Sequence, residues 1–167
     1  MNVSEMLLPE FDEETRKTRA YLERLPEDKS DYKPHEKSMP LGRLAAHIAQ
    51  LPELAALVAE LPSLDFATSG MKPLVMESRQ QLLAEFDRTA QRARKAVSAV
   101  QDKDWQHLWK LSFSGKTITE EPRYQVYRKM FLNHLVHHRA QLGVYFRLNG
   151  IPVPATYGPS ADDKMGF

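Results

Sequence analysis

The sequence predicts an all-α protein, a bundle of four helices. Two observations carry this prediction, and one stretch stands apart from it. Four segments, each of about 20 residues, repeat apolar residues at three- and four-residue spacing. Residues that start or stop helices stand near their ends. One stretch between them, Gln101 to Glu121, departs from that period and instead holds Trp105, Trp109, Phe113 and a Ser114-Gly115 turn.

The first segment runs from about Ser4 to Leu25, with Ser4 as a cap and Leu7, Phe11, Thr18, Leu22 and Leu25 as its inward stripe. The polar stretch Pro26 to Lys37 follows, broken by Pro34. The second segment starts near Ser38, with Pro40 suited to a first turn, and ends at Leu61-Pro62. Leu44, Ile48, Leu51, Ala55 and Val58 keep its period. Pro52 lies inside it, removes a hydrogen bond to the Ile48 carbonyl, and predicts a kink just past His47. Ser63 to Lys72 reads as loop. The third segment runs from Pro73–Ser78 to about Val100 and turns Leu82, Leu83, Phe86, Ala90, Ala93, Val97 and Val100 inward. Gln101 to Glu121 reads as a short extended or hairpin-like excursion. The fourth segment begins near Pro122 and stops at Asn149-Gly150, where glycine suits a helix end. The tail, Ile151 to Phe167, holds three prolines and two glycines and reads as irregular, with a disordered end over its last few residues. It needs something to lie against, such as the site described below or a partner subunit. The whole chain, 1–167, reads as one domain with this tail from about 151, and the connections leave the helix topology open.

Composition removes several function classes. Net charge is +1, so there is no electrostatic case for nucleic acid. There is no cysteine, which excludes disulfides, thiolate ligands and a cysteine nucleophile, and fits a cytoplasmic protein. The stretch Met1 to Phe11 has no basic start before an apolar run, so a signal peptide is not expected. No apolar run is long enough for a membrane span.

Chemistry concentrates in His134-Leu-Val-His137-His138 on the fourth segment. His134 and His138 are four residues apart, so on a helix both imidazoles leave one face, turned by about 40° from each other. With His134 as origin, Tyr127 and Tyr145 fall at about 20°, on the same stripe. The apolar arc of this segment is about twice as wide as one core face needs, and a homodimer interface would account for it. His47 points inward from the second segment, beside Leu44, Leu51, Leu54 and Val58. Three separately buried imidazoles would each need a hydrogen-bond partner, whereas one divalent ion satisfies all three. Three neutral imidazoles suit zinc, nickel, copper or ferrous iron. His137 is either an alternative ligand paired with His134 or an interface or surface residue; its place at the edge of the stripe favours the second. His35 and His107 lie in polar stretches and read as exposed. Gln50, Asn133, Gln141 and the tyrosines are candidates to orient the ligands from behind, with ordinary packing as the alternative. Leu135 stands where a His-Glu-x-x-His protease carries its glutamate, so zincin-type proteolysis is not expected.

Leu44-Ala-Ala-His47-Ile-Ala-Gln-Leu-Pro52 and Asn133-His134-Leu-Val-His137-His138-Arg139-Ala-Gln141-Leu142 resemble the second- and fourth-helix signatures of the DinB-like superfamily. Leu148 to Ser160 resembles the tail of one subgroup. The resemblance implies an up-down-down-up four-helix bundle, commonly a homodimer. It implies one divalent metal per chain, typically nickel or zinc, held by His47, His134 and His138 with water in the open position. It also implies a thiol-dependent transferase, isomerase or hydrolase acting on a small molecule, with a low-molecular-weight thiol supplied from outside the cysteine-free chain. Tyr127 or Tyr145 could orient such a substrate, with core packing as the alternative. A non-catalytic, stress-related metal-binding bundle and a bundle of packed histidines without metal are the rival readings.

Overall fold

The structure, a computed structural model, describes residues 2–165. The last two residues of the tail, and Met1 of the N-terminal reading, lie outside that range. Three long helices appear where periodicity places them: α1 (Val3–Leu22), α2 (Leu41–Glu60) and α3 (Arg79–Ala99). The fourth rod is α4 (Arg123–Tyr127), a π-helical turn (Arg128–Leu132) and α5 (Asn133–Leu148), joined without a break in helical backbone. α2 packs along α3 and α5, and α1 packs on those same two helices, so α1 and α2 occupy opposite corners.

Local chemistry sets the helix ends. Asn2, not Ser4, caps α1: its side chain accepts from the Glu5 N–H while the Glu5 carboxylate accepts from the Asn2 N–H, a reciprocal capping box. Ser4 is buried instead, donating to the Val97 carbonyl and accepting from the Trp105 indole. Ser78 caps α3 through the Gln81 N–H. Pro40 immediately precedes α2, and Gly150, at φ +68°, ends the fourth rod. α2 continues through Pro52.

The all-α expectation is corrected. β1 (Ser63–Asp65), β2 (Leu108–Phe113) and β3 (Lys116–Pro122) form a three-stranded mixed sheet in the order β1-β2-β3, parallel and then antiparallel. The β2–β3 hairpin turns at Ser114 and Gly115, both with positive φ, as a two-residue hairpin turn demands. Asp65 fixes that turn, accepting from the Ser114 and Gly115 N–H groups at 3.0 and 2.8 Å and from the Ser112 hydroxyl at 2.8 Å. Those donors hold the Asp65 carboxyl below the usual carboxylate range, the Gly115 N–H contributing most. Trp109 roots the hairpin in the core, donating to the Leu61 carbonyl at 2.8 Å. β1 lies in the stretch expected to be loop. It has three residues and a single apolar one, Leu64, so it carries no period of its own; it is a strand because β2 supplies its partner.

The π-helical turn changes the fourth rod's wheel. One extra residue in a helix rotates everything upstream by about 100° relative to a straight α-helix. Tyr127 therefore leaves the His134/His138 stripe and packs edge-on to Trp105, 5.6 Å between ring centroids, and against Phe131. The wide apolar arc is largely covered within the chain. Leu135, Leu142 and Phe146 enter the core, while Gly143 lets Tyr21 and Val153 approach so closely that a Cβ there would stand 3.3 Å from the Tyr21 ring. Val144 and Leu148 remain exposed.

The tail lies on its own α1 and α5. Tyr21 donates to the Pro154 carbonyl, Arg24 to the Pro152 carbonyl, and Arg147 pairs with Asp162 at 2.6 Å. Asp163 accepts from the Ala155 and Met165 N–H groups, so the described end of the tail is tied down.

Candidate metal centre

α5 presents His134 and His138 one turn apart, and α2 presents His47 opposite them. The three Nε2 atoms converge: His138 to His134 is 2.8 Å and His47 to His134 is 3.3 Å, with all three ligand atoms within 4.8 Å of one another. Nitrogens bound at the usual metal–imidazole length of about 2.0–2.1 Å, with angles between square and tetrahedral, would stand about 2.8–3.4 Å apart. The His134–His138 and His47–His134 spacings both fall in that range. His138 is buried, and His47 and His134 are half-buried.

The outer ring nitrogen of His138 is committed: its Nδ1 lies 2.7 Å from the Gln141 side-chain oxygen, an acceptor. The Nε2 atoms of His134 and His138 face each other across 2.8 Å, with His47 Nε2 3.3 Å from His134 Nε2. An outward proton on His138 leaves its Nε2 lone pair directed into the cluster, and a three-imidazole donor set suits a divalent transition metal. The three histidines can hold a metal ion.

Burial pushes all three imidazoles below the ordinary histidine pKa, His47 to about 4, and the neighbouring imidazoles add to the effect at His47. They are neutral at pH 7, the state a metal requires.

Two clefts flank the imidazoles and share Met39. One, of about 320 Å³, runs past His47 between Arg43, Met71, Lys72 and Leu74. The other, of about 420 Å³, runs past His138 between Lys37, Leu44, Gln141 and Tyr145. A larger surface depression lies elsewhere, between Arg92, Lys95 and Arg123, and contains none of the histidines.

The remaining expectations divide. Gln141 orients His138 from behind, as expected, and also donates to His137 Nε2 at 3.1 Å. Gln50 makes no hydrogen bond to a described histidine; it holds the loop beside His47, donating to the Lys72 carbonyl and accepting from the Leu74 N–H. Asn133 is exposed. Tyr145 lines the second cleft, but its hydroxyl donates to the Met39 carbonyl at 2.9 Å. Tyr127 is fully buried elsewhere, its hydroxyl without a hydrogen-bond partner. His137, His35 and His107 are exposed.

Sequence reasoning missed a second polar cluster. Arg139 is 2% exposed and Glu14 5%. Arg139 Nη2 meets Glu14 Oε2 at 2.7 Å and the Tyr157 hydroxyl at 2.8 Å, and that hydroxyl donates to Glu14 at 2.9 Å. Arg139 Nη1 donates to the Glu14 carbonyl and Thr18 hydroxyl, and the Lys17 ammonium stands 3.9 Å from the Tyr157 ring centre. One clue was legible: Leu135, Arg139, Leu142 and Phe146 recur at core spacing, which puts a guanidinium on an inward stripe.

The DinB family model matches residues 1–165. No protein of curated function matches the chain. Among solved structures, a DinB-like protein from Bacillus cereus is similar at TM-score 0.67 and 21% identity, over 90% of this chain and 95% of that one. A DinB-like protein from Bacillus subtilis is similar at 0.68 and 18%, over 87% and 92%. A member of the family from Exiguobacterium sibiricum is similar at 0.66 and 19%, over 90% and 94%. At these identities the structures bear on fold alone; with the family match over nearly the whole length, the chain belongs to the DinB family.

Proposed function

We propose that this chain is a metal-dependent enzyme acting on a small molecule, a thiol-dependent transferase or a hydrolase, with one divalent ion per chain, nickel or zinc, held by His47, His134 and His138. The observation that carries this reading is the convergence of three imidazoles, with the Nε2 atoms of His134 and His138 2.8 Å apart and His47 beside them. When bound, an ion with open positions would lower the pKa of a bound water or hold a thiolate.

The chain's own residues have separable roles. Gln141, whose side-chain oxygen faces His138 Nδ1, favours the His138 tautomer that leaves Nε2 free. Tyr145 ties α5 to Met39, the residue shared by both clefts. Among the described residues no carboxylate lines either cleft, so the chain offers no carboxylate base there. With no cysteine in the sequence, any thiol must come from a cofactor or substrate.

The test is metal content of untagged protein. About one ion per chain in the wild type, lost in His47→Ala with the fold retained by circular dichroism, is the expected result; metal-free wild type after zinc or nickel loading would overturn the reading. Turnover with a panel of low-molecular-weight thiols, electrophiles and esters then separates an enzyme from a metal-binding bundle without catalysis. We also infer a homodimer. The exposed Val144 and Leu148 on α5 support it, and light scattering should return twice the 19.2 kDa chain mass. The cysteine-free composition supports a cytoplasmic location.

A further inference from the structure

We propose that the cleft beside His47 selects a small molecule bearing a carboxylate, held by Arg43 and Lys72 while another group of the same molecule reaches the metal. The inference rests on the metal reading above and adds the class of ligand.

Arg43 precedes His47 by one helical turn, so the guanidinium and the imidazole leave the same face of α2. Both line the cleft of about 320 Å³, with Lys72 across from them. Many arginines are neutralised, Arg19, Arg88, Arg92, Arg94, Arg128 and Arg147 each facing a carboxylate, whereas Arg43, like Arg16 and Arg79, does not. Among the described residues Arg43 and Lys72 have no carboxylate partner, and none lines their cleft. Lys72 is also held in place, because Gln50 grips the backbone on both sides of its peptide, at the Lys72 carbonyl and the Leu74 N–H. Met39, Met71 and Leu74 supply the apolar wall of the same cleft.

Two cations without acids, on a protein whose total charge is +1, make a local anion site. A guanidinium fork matches the two oxygens of a carboxylate. The apolar wall suits a short hydrocarbon spacer between that carboxylate and the atom that binds the metal.

The test uses the cobalt(II)-loaded protein, titrated with 4-mercaptobutyrate and separately with its methyl ester, each followed by the cobalt absorption bands. The two probes share thiol and chain length and differ in charge. The acid should bind about 3- to 10-fold more tightly, as expected for partly exposed ion pairs, and the preference should fall to about 1 in R43Q/K72Q and in high salt. Equal affinities in the wild type, or a preference that survives R43Q/K72Q, would overturn the carboxylate assignment and leave the metal reading standing. Failure of the wild type to take up cobalt would sink both. R43Q/K72Q should load cobalt like the wild type, which shows that the exposed substitutions left the imidazoles in place.

Discussion

The His47–His134–His138 cluster and the Glu14–Arg139–Tyr157 cluster both sit on α5, and both withdraw polar groups from water. The second completes itself. The Arg139 guanidinium is shared among a carboxylate, a carbonyl and two hydroxyls, and the tail delivers Tyr157 as the last partner. The first leaves its inner face incomplete: the outward nitrogen of His138 has Gln141, and among the described residues the inward nitrogens of the three rings have only one another. Burial of polar atoms alone therefore does not mark a functional site. What marks the candidate is a set of ligand nitrogens that converge on one point with no other protein partner there among the described residues.

That contrast predicts opposite phenotypes. The largest effect on stability should come from Arg139→Met, which strands the buried Glu14 carboxylate. Removing one partner of a buried pair costs about 3–5 kcal/mol, and the nearby Lys17 argues for the lower end. Urea denaturation should show the loss while metal content per folded chain stays at wild-type level; a parallel loss of metal would mean the two clusters act as one. Gln141→Ala should do the reverse. It removes the acceptor behind His138 and should weaken metal binding about 10- to 100-fold. Because Gln141 is exposed, stability of the metal-free protein should change by less than about 0.5 kcal/mol.

The smallest effect is a pH slope confined to the metal-free state. The folded-state pKa of His47 is depressed to about 4, and those of His134 and His138 are depressed as well. Below about pH 6.5 the unfolded chain takes up protons that the folded chain refuses, so stability should fall as pH drops from about 6.5 towards 4. Substituting all three histidines should flatten that slope in denaturation midpoints measured at successive pH values, whereas Arg139→Met should retain it. Bound metal should steepen the acid loss, since protons compete for the same nitrogens.

The sequence by itself determined the helical segments and the pairing of His134 with His138. Apolar period, caps and breakers act over a few residues, and a four-residue spacing on a helix has one geometric meaning. It also marked the Ser114-Gly115 turn, because positive φ at two successive positions is a local demand. Tertiary structure alone decided the rest. β1 exists because β2 lies beside it, 47 residues further along in register. The π-helical turn moved Tyr127 off the histidine stripe, a shift in phase that no apolar period announces. Arg139 became a buried structural residue because the tail folds back with Tyr157, and His47 became a neighbour of His134 because α2 packs on α5. Each of these depends on a partner far away in the chain, and a contact of that kind is fixed by packing and hydrogen-bond completion across the whole domain.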